Sequence, residues 1–118
     1  MLAGRVGATP TQADLDAIYA EGKKRFEEKV PPGFADEKKE KSERPYHHSS
    51  GLRLERKFGD LVAWKQLIAE AHQKELASVI WVTDDEKPDW WLVVDSQGKK
   101  TIGPRPALFE EIRRDGGV

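Results

Sequence analysis

FGDLVAWKQLIAEAHQKELASVIWVTDDEKPDWW, residues 58–91, changes its period midway. From Asp60 onward, Leu61, Trp64, Leu67, Ile68 and Ala71 recur on one stripe, which predicts a helix opening just after Gly59 and running toward Leu76. ASVIWV (77–82) is then a short apolar run bounded by polar residues, the pattern of a strand buried on both faces. A helix followed by a buried strand predicts α/β architecture. At the end of this strand stand Asp84 and Asp85, with Asp89, Trp90 and Trp91 close behind. Burying a carboxylate without a partner is costly, so these acids are either solvated at a strand end or held by something positive.

Upstream, TQADLDAIYAEGKKRFEEKV follows Pro10 and reads as a helix, with Thr11 as N-cap and Asp14 completing a variant capping box. Leu15, Ile18, Tyr19, Gly22 and Phe26 share one face, while Glu21, Lys23, Lys24, Glu27 and Glu28 lie outside it. Pro31 and Pro32 stop this helix, and the stretch from there to Gly51 is polar, rich in turn residues and without a period. It is expected to be a flexible loop over about 31–52, of a length that is functional or disordered. Downstream, DWWLVVD (89–95) predicts another short strand, SQGKK a turn back to TIG, and ALFEEIRRD a last helix ending at Gly116.

The chain has 118 residues, enough for one core and too few for two. Twenty basic residues face twenty-one acidic ones, which excludes a generally polyanion-seeking protein without excluding local clusters. The absence of cysteine excludes disulfides and thiolate metal sites. MLAGRVGATPTQ lacks the apolar centre of a signal peptide, and no stretch is apolar for long enough to span a bilayer. A cytoplasmic protein with no membrane partner is expected.

Side chains alternate along a strand, so Trp81, Thr83 and Asp85 point one way and Ile80, Val82 and Asp84 the other. In an α/β unit the helix runs antiparallel to the strand it feeds, which brings Asp60 toward the strand end that carries Asp85. Converging carboxylates suit a hard divalent cation such as Mg²⁺ or Mn²⁺. Plainer readings stand beside this one: Asp60 as a helix N-cap, the Asp84–Asp85 pair and Asp89 as turn chemistry, and His47 and His48 as exposed loop residues that bind nothing. Trp64 and Trp81 suit core packing better than base stacking, and EKKEKSER reads as a solvated or disordered tract.

GRVG, EGKKRFEEKVPPGF followed by Asp36 and Lys38, RKFGDLVAWKQLIAEA, VIWVTDDEKPDWW and GPRPALFEEI occur in this order and together resemble the C-terminal part of the PIN-like domain family found in bacterial proteins. The resemblance covers nearly the whole chain. It implies one partial domain over 1–118 with a three-layer α/β/α fold around a short parallel sheet, and a metal-dependent nuclease acting mostly on RNA. By motif matching, Asp60 of FGD resembles the helix-start acid of the metal cluster, and Thr83 with Asp85 resembles the threonine and acid at the later strand end. Asp84 is a second ligand or a turn cap. Asp60, Asp85 and Asp84 are thus the expected catalytic and Mg²⁺- or Mn²⁺-binding residues, while Arg56, Lys57, Lys87 and Thr83 are expected to meet nucleic acid.

The family's first strand and its acids have no counterpart before Gly4, so the resemblance implies a domain incomplete at its N-terminus. An incomplete sheet demands a homo-oligomer or a complementing chain, and an incomplete cluster hydrolyses poorly. The alternative is a non-catalytic PIN-like binding or assembly module. A toxin-like nuclease with a cognate inhibitor differs chiefly in partners.

Overall fold

Thr11 starts the first helix. In the computed structural model, which describes residues 10–36, 45–49, 51–82, 87–95 and 97–118, its hydroxyl accepts from Asp14 N–H at 3.1 Å and Asp14 accepts from Thr11 N–H at 3.0 Å. This reciprocal cap satisfies two otherwise orphaned donors, and α1 runs Gln12–Glu27. A hairpin of β1 (Tyr46–Ser49) and β2 (Leu52–Glu55) leads through a 3₁₀ turn, Arg56–Phe58, into α2, Gly59–Gln73. A second hairpin pairs β3 (Trp91–Asp95) with β4 (Lys99–Pro104), and α3 spans Pro106–Gly116. Proline at the start of α3 and left-handed Gly117 (φ 73°) after its end give that helix both of its boundaries.

The predicted helical stripes pack. Leu15, Phe26, Leu61, Trp64 and Ile68 are buried, joined by Phe58, Trp90 and Leu108. Phe58 is the hinge of the α1–α2 contact, with ring centroids 4.9 Å from Phe26 and 5.4 Å from Tyr19. Gly22 admits this close approach: a Cβ there would lie 2.7 Å from Phe58 Cε1 and 2.9 Å from Leu61 Cδ2. Its place on the apolar face of α1 is therefore steric, since alanine would otherwise favour the helix.

Three sequence expectations are corrected. The stretch foreseen as a loop over 31–52 includes β1, which pairs with β2 beginning at Leu52, in register Tyr46 opposite Glu55 and His48 opposite Arg53. ASVIWV (77–82) is not a buried strand: Ile80 is 88% exposed and Val82 87%. An apolar run becomes a strand only beside a partner that takes its backbone hydrogen bonds, and no described strand lies along it. Finally, both sheets among the described residues are antiparallel pairs, because each is a local hairpin, and no parallel pairing occurs there.

A buried ion pair, invisible in the hydrophobic pattern, joins the helices. Arg25 of α1 donates from Nη1 and Nη2 to Glu111 of α3 at 2.7 Å each, and Nη2 also donates to the Pro31 carbonyl. Trp64 Nε1 of α2 donates to the same carboxylate at 2.8 Å, and Lys65 Nζ lies 3.1 Å from it. Burial pushes the Glu111 carboxyl up, but hydrogen bonds from Arg25, Trp64 and Lys65 outweigh it and hold the group at about 2, below its ordinary 4.5.

A depressed carboxylate adds stability above its unfolded pKa and loses it as pH falls through the folded value. The contribution is thus complete above about pH 5 and decays from roughly 4.5 toward 2, by an amount on the order of 3 kcal/mol. Urea unfolding at neutral pH and at pH 3 is expected to show the part of this loss lying above pH 3, on the order of 2 kcal/mol, in the wild type. In Glu111→Gln the Glu111 share of the acid sensitivity should vanish, leaving a smaller pH dependence and a lower stability at pH 7.

Candidate metal centre

Three turns deliver three carboxylates to one place. Asp36 closes a 3₁₀ turn over residues 34–36, its N–H donating to the Gly33 carbonyl at 2.9 Å. Asp60 lies in the first turn of α2, where the helix dipole favours an acid. Asp89 lies in the turn before β3, where Trp90 N–H donates to the Lys87 carbonyl at 3.1 Å. One carboxylate oxygen from each of Asp36, Asp60 and Asp89 falls within 4.8 Å of the others. Asp36 is 5% exposed and Asp89 fully buried, with Asp60 half-buried beside them.

Contacts among the turns fix this geometry. Gly33, at φ +92°, is in a conformation that L side chains rarely adopt, and a Cβ there would meet the Asp60 Cβ at 3.3 Å. Ala35 N–H donates to Asp89 Oδ2 at 3.3 Å, and Trp90 Nε1 donates to Asp60 Oδ2 at 3.2 Å. Lys87 Nζ lies 3.4 Å from Asp36 Oδ1. Arg105, the arginine of GPRP, holds two of the turns at once. Its Nε donates to the Pro88 carbonyl at 2.6 Å, its N–H to the Trp90 carbonyl at 3.0 Å, and its guanidinium lies 5.3 Å from the centroid of the Phe34 ring.

The chemistry of this donor set fits a hard divalent cation. All three groups are carboxylates, without the imidazole or thiolate that softer metals select, and a dication relieves the repulsion of three converging negative charges. On the far side of Trp90 opens a cleft of ≈ 430 Å³ lined by Trp64, Trp81, Trp91 and Leu108. Trp81 stacks on Trp90 at 5.2 Å yet remains 39% exposed, so it is a cleft wall rather than a core residue.

Of the residues expected from sequence, Asp60 joins the cluster and is not an N-cap, a position taken by Phe58. Lys87 reaches the cluster through Asp36. Arg56 and Lys57 stand in the 3₁₀ turn that leads to Asp60, the Lys57 ammonium 5.0 Å above the Phe58 ring. Thr83, Asp84 and Asp85 lie outside the described residues. Sequence reasoning missed Asp36 and Asp89 as cluster members. Asp36 entered only as part of the family motif, with no role given to it, and Asp89, indeed in a turn, directly precedes Trp90, whose ring is buried.

A family model described as a PIN like domain matches residues 1–108. No curated protein and no solved structure matches the chain. No described helix is long and apolar enough to cross a membrane.

Because Arg105 touches the backbone of one ligand-bearing turn and packs on the other, Arg105→Ala is expected to weaken Mn²⁺ binding by about 10–100-fold without touching the ion. Calorimetric titration of Mn²⁺ into the two proteins, with far-ultraviolet circular dichroism to check that helix content is unchanged, measures this.

Proposed function

The chain belongs to the PIN-like domain family, and from that premise we propose that it is a metal-dependent nuclease that hydrolyses phosphodiester bonds, with RNA as substrate. The observation that carries this reading is the meeting of Asp36, Asp60 and Asp89 on three interlocked turns. Mg²⁺ or Mn²⁺, when bound, supplies Lewis acidity and positive charge beside the scissile phosphate. The three aspartates hold the ion, and Trp90 and Ala35 orient two of them through N–H donors. Lys87, paired with Asp36, and Arg56 and Lys57, ahead of Asp60, are placed to meet phosphate oxygens. Asp85, with Asp84 and Thr83, completes the proposed set. The proposal includes a single domain over the whole chain and a three-layer arrangement around a parallel sheet, as the family resemblance implies.

A second copy or a complementing chain belongs to the same reading, supported by the exposure of Ile80 and Val82 in a segment of strand-like composition. A non-catalytic binding module is the alternative that this exposed segment favours.

Incubation of the protein with Mn²⁺ and a single-stranded RNA separates the readings. Cleavage is expected, falling to background in Asp36→Asn, Asp60→Asn, Asp89→Asn or Asp85→Asn. Cleavage unchanged in all four variants would remove the assignment of the site, and no cleavage by the wild type in any divalent ion would favour the binding module. Sedimentation velocity at micromolar concentration tests association: a single dimer or larger boundary is expected, and a stable monomer counts against it.

A further inference from the structure

We propose that the β1–β2 hairpin is a binding platform for single-stranded polynucleotide, with Tyr46 and His48 stacking on bases and Arg53 serving both base and phosphate; this rests on the nuclease reading and supplies its substrate-holding surface. The register puts Tyr46 opposite Glu55 and His48 opposite Arg53, so these four side chains share one face of the hairpin. Tyr46 is 43% exposed, and His48 and Arg53 are exposed. Their mutual geometry is ordered: the Arg53 guanidinium lies 4.1 Å from the centroid of the Tyr46 ring, and the His48 ring stands edge-on to Tyr46 at 5.9 Å and 87°.

An exposed tyrosine with an arginine over its ring is a cross-strand cation–π contact, favourable in itself, that keeps both groups ordered at the surface. It is the combination single-stranded nucleic acid binders use, because every base offers a π-face and every linkage a phosphate. The opposite face of the hairpin carries His47 and Leu54, which turn toward Tyr19 and Val62. His47 is exposed and Leu54 half-buried, so the faces differ in side chains: Tyr46, His48 and Arg53 stand together on one of them. Glu55 is the acid of that face and is half-buried, whereas Arg53 and, just beyond, Arg56 and Lys57 are its cations.

The platform is held in advance of binding. Gln12 Oε1 accepts from Arg53 N–H at 2.8 Å, and the Tyr19 hydroxyl accepts from Glu55 N–H at 3.1 Å while donating to the Arg53 carbonyl at 3.0 Å. Both anchors come from α1, so the backbone beneath Arg53 does not need to order when a ligand arrives. Asp60 follows Arg53 by seven positions, a reach of at most ~25 Å even if fully extended. A strand lying over Tyr46 would pass Arg56 and Lys57 and arrive at the acidic cluster within a few nucleotides.

The test is fluorescence anisotropy with a labelled oligouridine RNA and an oligodeoxythymidine of about twelve nucleotides, a length within the range such surfaces cover. Binding is measured without divalent metal, so that cleavage does not intrude. Tyr46→Ala and Arg53→Ala are each expected to weaken binding about 5-fold or more, while Tyr46→Phe keeps most of the affinity and Lys24→Ala, on the far side of α1, leaves it unchanged. Arg53→Ala should also flatten the salt dependence by about one phosphate contact. Preference for RNA over DNA identifies the biological polymer, and equal binding identifies stacking alone as the recognition. Affinity unaltered in both alanine variants, tighter binding to duplex than to single strand, or equal losses in Tyr46→Phe and Tyr46→Ala would each overturn the platform. The two proposals fail separately. An oligonucleotide bound through Tyr46 yet never cut sinks only the nuclease reading, whereas cutting and binding indifferent to Tyr46 and Arg53 sink only the platform.

Discussion

The bidentate pair between Arg25 and Glu111 is the constraint on which the rest depends. Both groups are nearly excluded from water, where isolated charges are very costly, so neither tolerates loss of the other. Glu111 accepts from α1 and α2 while belonging to α3, so one carboxylate fixes the relative placement of all three helices. The third acceptor of Arg25, the Pro31 carbonyl, begins the turn that ends at Asp36. The framework and the acidic cluster are thereby mechanically continuous: the pair that locks the helices also holds the first residue of a ligand-bearing turn.

The cluster itself depends on opposed forces. Three carboxylates within 4.8 Å repel, and burial strengthens that repulsion by lowering the local dielectric. Against it stand the Lys87 ammonium, the Trp90 and Ala35 N–H donors, the N-terminus of α2 and the backbone clamp of Arg105. None of these alone neutralises the three carboxylates. Trp90 has two functions in this arrangement. Its nitrogen orients Asp60, while its ring closes the aromatic cluster with Trp64 and Trp81. Packing of the core and aim of a ligand are consequently coupled through one side chain.

Local chemistry was legible in the sequence. The capping box of α1, the stripes of α1 and α2, the return of β3 into β4 and the boundary of α3 all follow from residues within a few positions of one another. Asp60 is singled out by a nonlocal relation, the antiparallel run of its helix against the next segment, and it does meet other acids, although these are Asp36 and Asp89. What could not be read was the rest of the nonlocal part. The hairpin Tyr46–Glu55 hides in a polar stretch because its stability comes from Tyr19 and Gln12, distant in sequence. Asp89 looked like a turn residue, which it is, and Asp36 had no reading of its own; only tertiary contact brings the two together. ASVIWV failed in the opposite way: composition gave it strand character, but a strand is a relation between two segments and composition describes one.

That six-residue segment has a consequence for the life of the protein in solution. Residues 77–82 are uncharged, free of proline and glycine, and rich in β-branched and aromatic side chains, with Ile80 and Val82 open to water. Such a window is the sequence signature of an aggregation seed. Its neighbours act as gatekeepers, with Lys74 and Glu75 before it and Asp84, Asp85 and Glu86 after it. The acids that draw the eye as candidate ligands therefore also flank this window with like charge, which acid removes and high ionic strength screens.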